Sequence, residues 1–209
     1  MKNRYIHALI FLLFCMGAMA QNSVKEAEEI LRDAIEKINK APSLKTEFKL
    51  SANGEEVSGT VISAGECFII SLENGTYESW FDGKTQWTWS SGTNEVNMTN
   101  PTPDEIIETN PFAIAADATR NYKASIIEKT QTSTTIKLAP KATAKTNIAE
   151  ATLNISNSTN FPLSLVVKLK DRQIIQFTFS HISIGKKLVP VDFRYNPLYH
   201  PGAEIIDLR

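Results

Sequence analysis

From Leu44 onward the chain consists almost entirely of short runs in which apolar and polar residues alternate, separated by turn residues. "LKTEFKLSA", "EVSGTVISA", "CFIISLE", "TYESWFD", "KTQWTWS" and "TNEVNMT" follow one another. After one interruption come "YKASIIEK", "STTIKLAP", "NIAEATLNIS", "PLSLVVKLK", "RQIIQFTFSHISI" and "VPVDFRYNP". A period of two places successive side chains on opposite faces of a strand. The connections are too short for parallel crossovers, so neighbouring strands are expected to pair antiparallel. A sheet of about 11–12 strands must curl strongly or close on itself. The expected class is mainly β (α+β): a large curved antiparallel sheet or unclosed β-barrel with a few helices.

Two segments depart from this period. "NSVKEAEEILRDAIEKINK" (22–40) places Val24, Ala27, Ile30, Leu31, Ala34, Ile35 and Ile38 on one helical face. Ser23 and Glu26 fit a capping box, and Pro42 ends the segment. "NPTPDEIIETNPFAIAADA" (100–118) carries Thr102, Pro103 and Glu105 as cap, first-turn proline and reciprocal carboxylate. Asn110-Pro111 repeats the signal, which predicts two short helices rather than one.

All three tryptophans fall in "ESWFDGKTQWTW" (78–89). Asp82-Gly83 is a strong hairpin signal, and Trp87 and Trp89, two apart, share a face. A two- or four-residue turn adds Trp80 and Glu78 to that face; a three-residue turn adds Tyr77 and Phe81 instead. Taken alone, such a face is more often core than cavity. Yet a dozen-stranded curved sheet has more inner surface than one long and two short helices can cover. Helices laid across its open end make a lid over an apolar space suited to a hydrophobic ligand. Strand alternation names Phe48, Leu50, Val61, Phe68, Ile70, Trp80, Trp87 and Trp89 as lining candidates. Ile106, Ile107, Phe112 and Ile114 are the lid candidates.

The first residues read as an export signal. Lys2 and Arg4 precede the apolar run "IHALIFLLFCM", which is too short to span a bilayer, and "AMA" (18–20) offers a cleavage site. Residues 1–20 are thus expected to be removed, with the cut near Ala20-Gln21, leaving 21–209 as a single domain. Phe14 before Cys15 is a poor context for lipid attachment, and Cys67 alone cannot form an internal disulfide. Of 22 basic residues two lie in the leader, so 20 scattered cations face 23 anions; nucleic-acid binding has no electrostatic basis.

Catalytic patterns are missing. His181 and His200 are not at metal-ligand spacing with each other or with Cys67, and no glycine-rich phosphate loop occurs. "VISAG" (61–65) lacks the first glycine of a nucleophile elbow. Asp104 and Glu105 serve as helix-start charges. The expectation is no enzyme, no cofactor and no metal.

The order of these pieces resembles a known family. An amphipathic helix precedes "LKTEFKLSANGEEVSGTVI"; "SWFDGKTQWTW", the "TNPFAIA" short helix and "IKLAPKA" follow. The whole resembles the periplasmic outer-membrane lipoprotein carriers of the LolA family, with the "DGKTxW" core and "NPFxIA" helix as the nearest matches. The ending "DFRYNPLYHPGAEIIDLR" is similar to the tail of versions from the Bacteroides side of the bacteria.

The resemblance implies an unclosed barrel whose helical lid covers an apolar cavity. It also implies a periplasmic chaperone role: carrying the acyl chains of lipoproteins from an inner-membrane release complex to an outer-membrane acceptor, as a monomer. One departure stands out. The family's lid-latching arginine has no counterpart in "VISAGECF", where Ala64, Gly65 and Glu66 stand. The alternative is an exported sensor or scaffold of the same fold, with a side-chain-filled core and a protein partner.

Overall fold

The computed structural model describes residues 23–102, 105–106, 118 and 121–209. A helix, α1, occupies 23–40. Ala27, Leu31 and Ala34 on it are buried, with Ile30, Ile35 and Ile38 half-buried beside them, so the expected apolar face is the one that packs; Val24, at its first turn, is exposed. Glu26 forms an ion pair with Lys129. At the other end of α1, Lys37 donates to the Thr159 carbonyl and lies over the Phe161 ring.

Twelve strands form one sheet. They are β1 (Leu44–Ala52), β2 (Glu55–Ala64), β3 (Cys67–Leu72), β4 (Tyr77–Phe81), β5 (Gln86–Ser90) and β6 (Glu95–Thr99). Then follow β7 (Tyr122–Lys129), β8 (Ser133–Pro140), β9 (Ile148–Ser156), β10 (Pro162–Leu169), β11 (Ile174–Ile184) and β12 (Glu204–Asp207). Their spatial order is β12-β6-β5-β4-β3-β2-β1-β11-β10-β9-β8-β7. β7 and β12 do not meet, so this is the expected curved sheet in its unclosed form. The one non-consecutive antiparallel joint, β1 with β11, brings the two halves of the chain together.

Two expectations are corrected. "VPVDFRYNP" is not a strand: Pro190 fixes a backbone angle suited to a tight turn, and Pro190–Phe193 forms a 3-10 turn. The twelfth strand lies further on and pairs parallel, not antiparallel, with β6. It can do so because the long connection after β11 supplies the crossover that a parallel pair requires.

Register builds the core from cross-strand rows. Leu50 stands opposite Val57 and Phe177; from Phe177 the row continues through Leu165, Leu153, Ile136 and Ile126. The neighbouring row contains Phe179, Phe48 and Gly59. Gly59 is required: a Cβ there would lie 2.6 Å from the Phe48 ring and 2.6 Å from the Ser71 carbonyl oxygen. The Phe48 ring thus lies directly over the β2 backbone. α1 packs on this same face, since Ala27, Leu31 and Ala34 belong to one cluster with Phe48, Phe68, Leu138 and Leu153. We call it the inner face.

Candidate functional site

The inner face is closed unequally at its two ends. Lys129 and Thr159, which α1 contacts, stand beside the β7–β8 and β9–β10 turns. At the opposite strand ends the apolar side chains are only half-buried: Leu50, Leu72, Tyr77, Leu169, Ile175 and Phe177 all pack on the core while keeping part of their surface accessible. Half-buried apolar side chains gathered at one set of strand ends have the form of a pocket mouth. Ile106, on the segment leaving β6, also packs against this core, and Ala118 is buried within it.

The Thr102–Glu105 cap forms as the sequence predicts. Thr102 donates its N–H and hydroxyl to Glu105 Oε2 at 2.7 and 2.9 Å, and these bonds hold the Glu105 carboxyl below its usual range. The other lid candidates, Ile107, Phe112 and Ile114, lie outside the described residues.

The lining candidates divide into two groups. Phe48, Leu50, Val61, Phe68 and Ile70 all face inward, in rows that pair Val61 with Ile70 and Phe68 with Phe81. Trp80, Trp87 and Trp89 do not join them. The loop from Asp82 to Thr85 is four residues long, so Phe81 pairs with Gln86, Trp80 with Trp87, and Glu78 with Trp89. Phe81 is inward, and the three tryptophans are therefore on the outer face.

The inward positions on β5 and β6, and Ser79 on β4, are polar. One row runs from Ile70 to Ser79, Thr88 and Asn97; the next runs from Phe68 through Phe81 to Gln86 and Thr99.

The outer aromatic face is covered by the chain's own tail. Trp80 is 2% exposed, with Tyr195 edge-on at 5.1 Å and Tyr199 stacked at 6.1 Å between ring centres. His200 stacks on Trp89 at 3.7 Å, and its Nε2 lies 3.0 Å from Glu78 Oε2. Phe193 is fully buried, and Arg194 Nε donates to Asp82 Oδ2 at 2.9 Å. Burial works to raise the Asp82 carboxyl, but bonds from the Thr85 N–H, Arg194 and the Lys84 N–H outweigh it and hold the group below its ordinary range.

Sequence reasoning missed this strap, and it missed Phe177, Leu165, Leu153 and Ile136 as inner-face residues. The latter four were legible in principle, because each is on the apolar parity of its strand.

Among the described residues the cysteine and histidines stand apart from one another. Burial, with the charges of Asp82 and Glu66, pushes the Cys67 thiol up, which keeps it protonated and inert. His181 Nδ1 lies 2.7 Å from Glu47 at the exposed surface. Among the described residues no group of three or more His, Cys, Asp or Glu is placed to hold a metal ion, and no helix is long and apolar enough to cross a membrane.

This architecture recurs in solved structures. An uncharacterized conserved protein from Thermus thermophilus superposes with a TM-score of 0.59 at 14% identity, covering 87% of this chain and 99% of that one. A DUF1329 family protein from Desulfovibrio piger gives a TM-score of 0.51 at 11% identity over 83% of this chain and 98% of the other. A LolA superfamily protein from Nitrosomonas europaea aligns at 0.46 and 13% identity, over 81% and 97%. No curated protein matches the sequence. The first two likenesses establish the fold. The sequence itself goes further: residues 16–179 match the family described as outer membrane lipoprotein carrier protein LolA, and this chain belongs to that family.

Proposed function

We propose that the protein is a periplasmic carrier that holds the acyl chains of lipoproteins on its inner face and shuttles them toward the outer membrane. The observation that supports this best is the half-buried apolar mouth formed by Leu50, Leu72, Tyr77, Leu169, Ile175 and Phe177, continuous with a row of apolar side chains across seven strands. Each methylene removed from water is worth about 0.8 kcal/mol, so an ordinary acyl chain costs on the order of 10 kcal/mol to leave exposed. A carrier must offset most of that and still let go. An aliphatic and phenyl surface supplies area without a rigid fit.

In this reading residues 1–20 direct export and are removed, and residues 21–209 act as one unit. A segment carrying Ile106 serves as the lid, joined by Ile107, Phe112 and Ile114. With Ala64, Gly65 and Glu66 at the β2–β3 turn in place of the family's arginine, closure rests on apolar contact rather than on a cationic latch. In this reading an inner-membrane release complex loads the carrier and an outer-membrane acceptor unloads it.

The test is native mass spectrometry of the protein purified from a periplasm, before and after detergent extraction. Adducts with the mass of lipid or acylated peptide that detergent removes are expected. A bare mass in both samples, with no binding of added acylated peptide, would contradict the reading and favour a filled core serving a protein partner. Tryptophan emission is the wrong reporter for this experiment, because the tryptophans face away from the site.

A further inference from the structure

The inward polar residues of β4–β6 have no role in a face that only holds hydrocarbon. Ser79 is 0% exposed and Gln86 5%, so both are buried. Gln86 Nε2 donates to Ser79 Oγ at 2.8 Å, and Ser79 Oγ lies 3.4 Å from Thr88 Oγ1. The carbonyl oxygen of the Gln86 amide makes no hydrogen bond among the described residues, and neither does the Asn97 side chain. Among the described residues the fully buried side-chain atom without a partner is Asn154 Oδ1, so the unpaired Gln86 carbonyl oxygen keeps accessible surface and is open to a ligand group. The same strands carry three tryptophans on the opposite parity, so apolar side chains were available to the hairpin and are placed outward.

We infer that Ser79, Gln86, Thr88 and Asn97 form a subsite for the neutral linkage of an acylated ligand: the ester and amide groups that join acyl chains to a glyceryl-cysteine. This rests on the carrier reading above and gives it a polar end. The rows place the subsite directly beside the apolar wall, since Ser79 is opposite Ile70 and Gln86 opposite Phe81. Chains lying on the half-buried Leu72 and Tyr77, beside the Ser79 row, bring their linkage to these four side chains.

Hydroxyl and amide N–H groups donate to ester carbonyls, and the free Gln86 carbonyl accepts from an amide N–H. The charge pattern selects against a phosphate. No cation stands on β4–β6, and the charged group on their inward parity is the Glu95 carboxylate, paired with Ser90 one row away.

The experiment is titration calorimetry with two synthetic probes: a cysteinyl peptide bearing two ester-linked palmitoyl chains on glycerol, and its dialkyl ether counterpart. The wild-type protein is expected to bind the ester about tenfold more tightly than the ether, the effect of losing one or two neutral hydrogen bonds. Gln86→Leu should bring the two within about twofold by weakening binding of the ester. Thr88→Val, at a half-buried position and nearly isosteric, should give a partial version of the same loss and serves if the leucine variant folds poorly. Equal, tight binding of both probes by wild type would overturn the subsite and leave the carrier standing. Failure of both probes to bind would overturn the carrier and the subsite together.

Discussion

The two faces of the sheet at β3–β5 use the same strands for opposite purposes. On the inner face Phe68, Ile70 and Phe81 belong to a core shared with α1 and the second half of the chain. On the outer face stand Trp80, Trp87 and Trp89, and the tail that returns from beyond β11 lays its rings on Trp80 and Trp89. The family match ends at residue 179, inside β11, so the inner face is built within the matched span and the strap lies wholly outside it. The tryptophans therefore mark a face that the protein covers with its own tail. The face of phenyl and aliphatic side chains is the one left partly open.

This contrast can be broken from either side. The largest effect is expected from Phe68→Ala, which empties a fully buried position: about 3–5 kcal/mol in denaturant unfolding, with acyl-peptide binding lost as well. Phe193→Ala should cost about 3 kcal/mol in stability and shift tryptophan emission to the red, yet leave acyl-peptide affinity within twofold. Loss of binding in that variant would mean the two faces are coupled. Gly59→Ala should cost about 1–3 kcal/mol, because the Ser71 carbonyl that its Cβ would meet belongs to the backbone and cannot rotate away.

A smaller effect concerns acid. The Asp82 carboxyl is held below its ordinary range, so its contribution is full above the unfolded carboxylate value near 4 and is lost as pH falls through the lowered folded value. Asp82→Asn should therefore lower stability by about 1 kcal/mol at neutral pH, with the difference from wild type vanishing in strong acid. Melting curves across pH check this, and a constant difference would show that the Arg194 contact is not what the substitution removed. Smallest of all, Lys37→Ala should change stability by less than about 0.5 kcal/mol, since its contacts are exposed.

Much of the sheet was legible in the residues. The runs at 44–52, 122–129 and 133–140 are strands end to end, because their alternation is strong and turn residues bound them. The alternation also determined which side chains share a face, and the Asp82-Gly83 turn was placed correctly. It could not say which face turns inward at β4–β6. A hairpin with tryptophans on one parity and Ser, Gln and Thr on the other reads as apolar-inside. The outcome is reversed by residues far away in sequence: Arg194 reaches Asp82 across 112 positions, and His200 reaches Glu78 across 122. "VPVDFRYNP" was misread for a related reason. Its apolar residues alternate like a strand, but Phe193 is buried on a 3-10 turn lying near β3 rather than on a rung of the sheet.

The central claim, that acyl chains occupy the inner face and not the aromatic outer one, is tested most directly by photocrosslinking. A cysteinyl peptide with a diazirine near the end of each acyl chain would be bound, irradiated and mapped by peptide mass spectrometry. The account predicts labels on β1, β3 and β11, at residues such as Leu50, Leu72 and Phe177. Labels concentrated on Trp87, Trp89 and the tail from Tyr195 to His200 would contradict it.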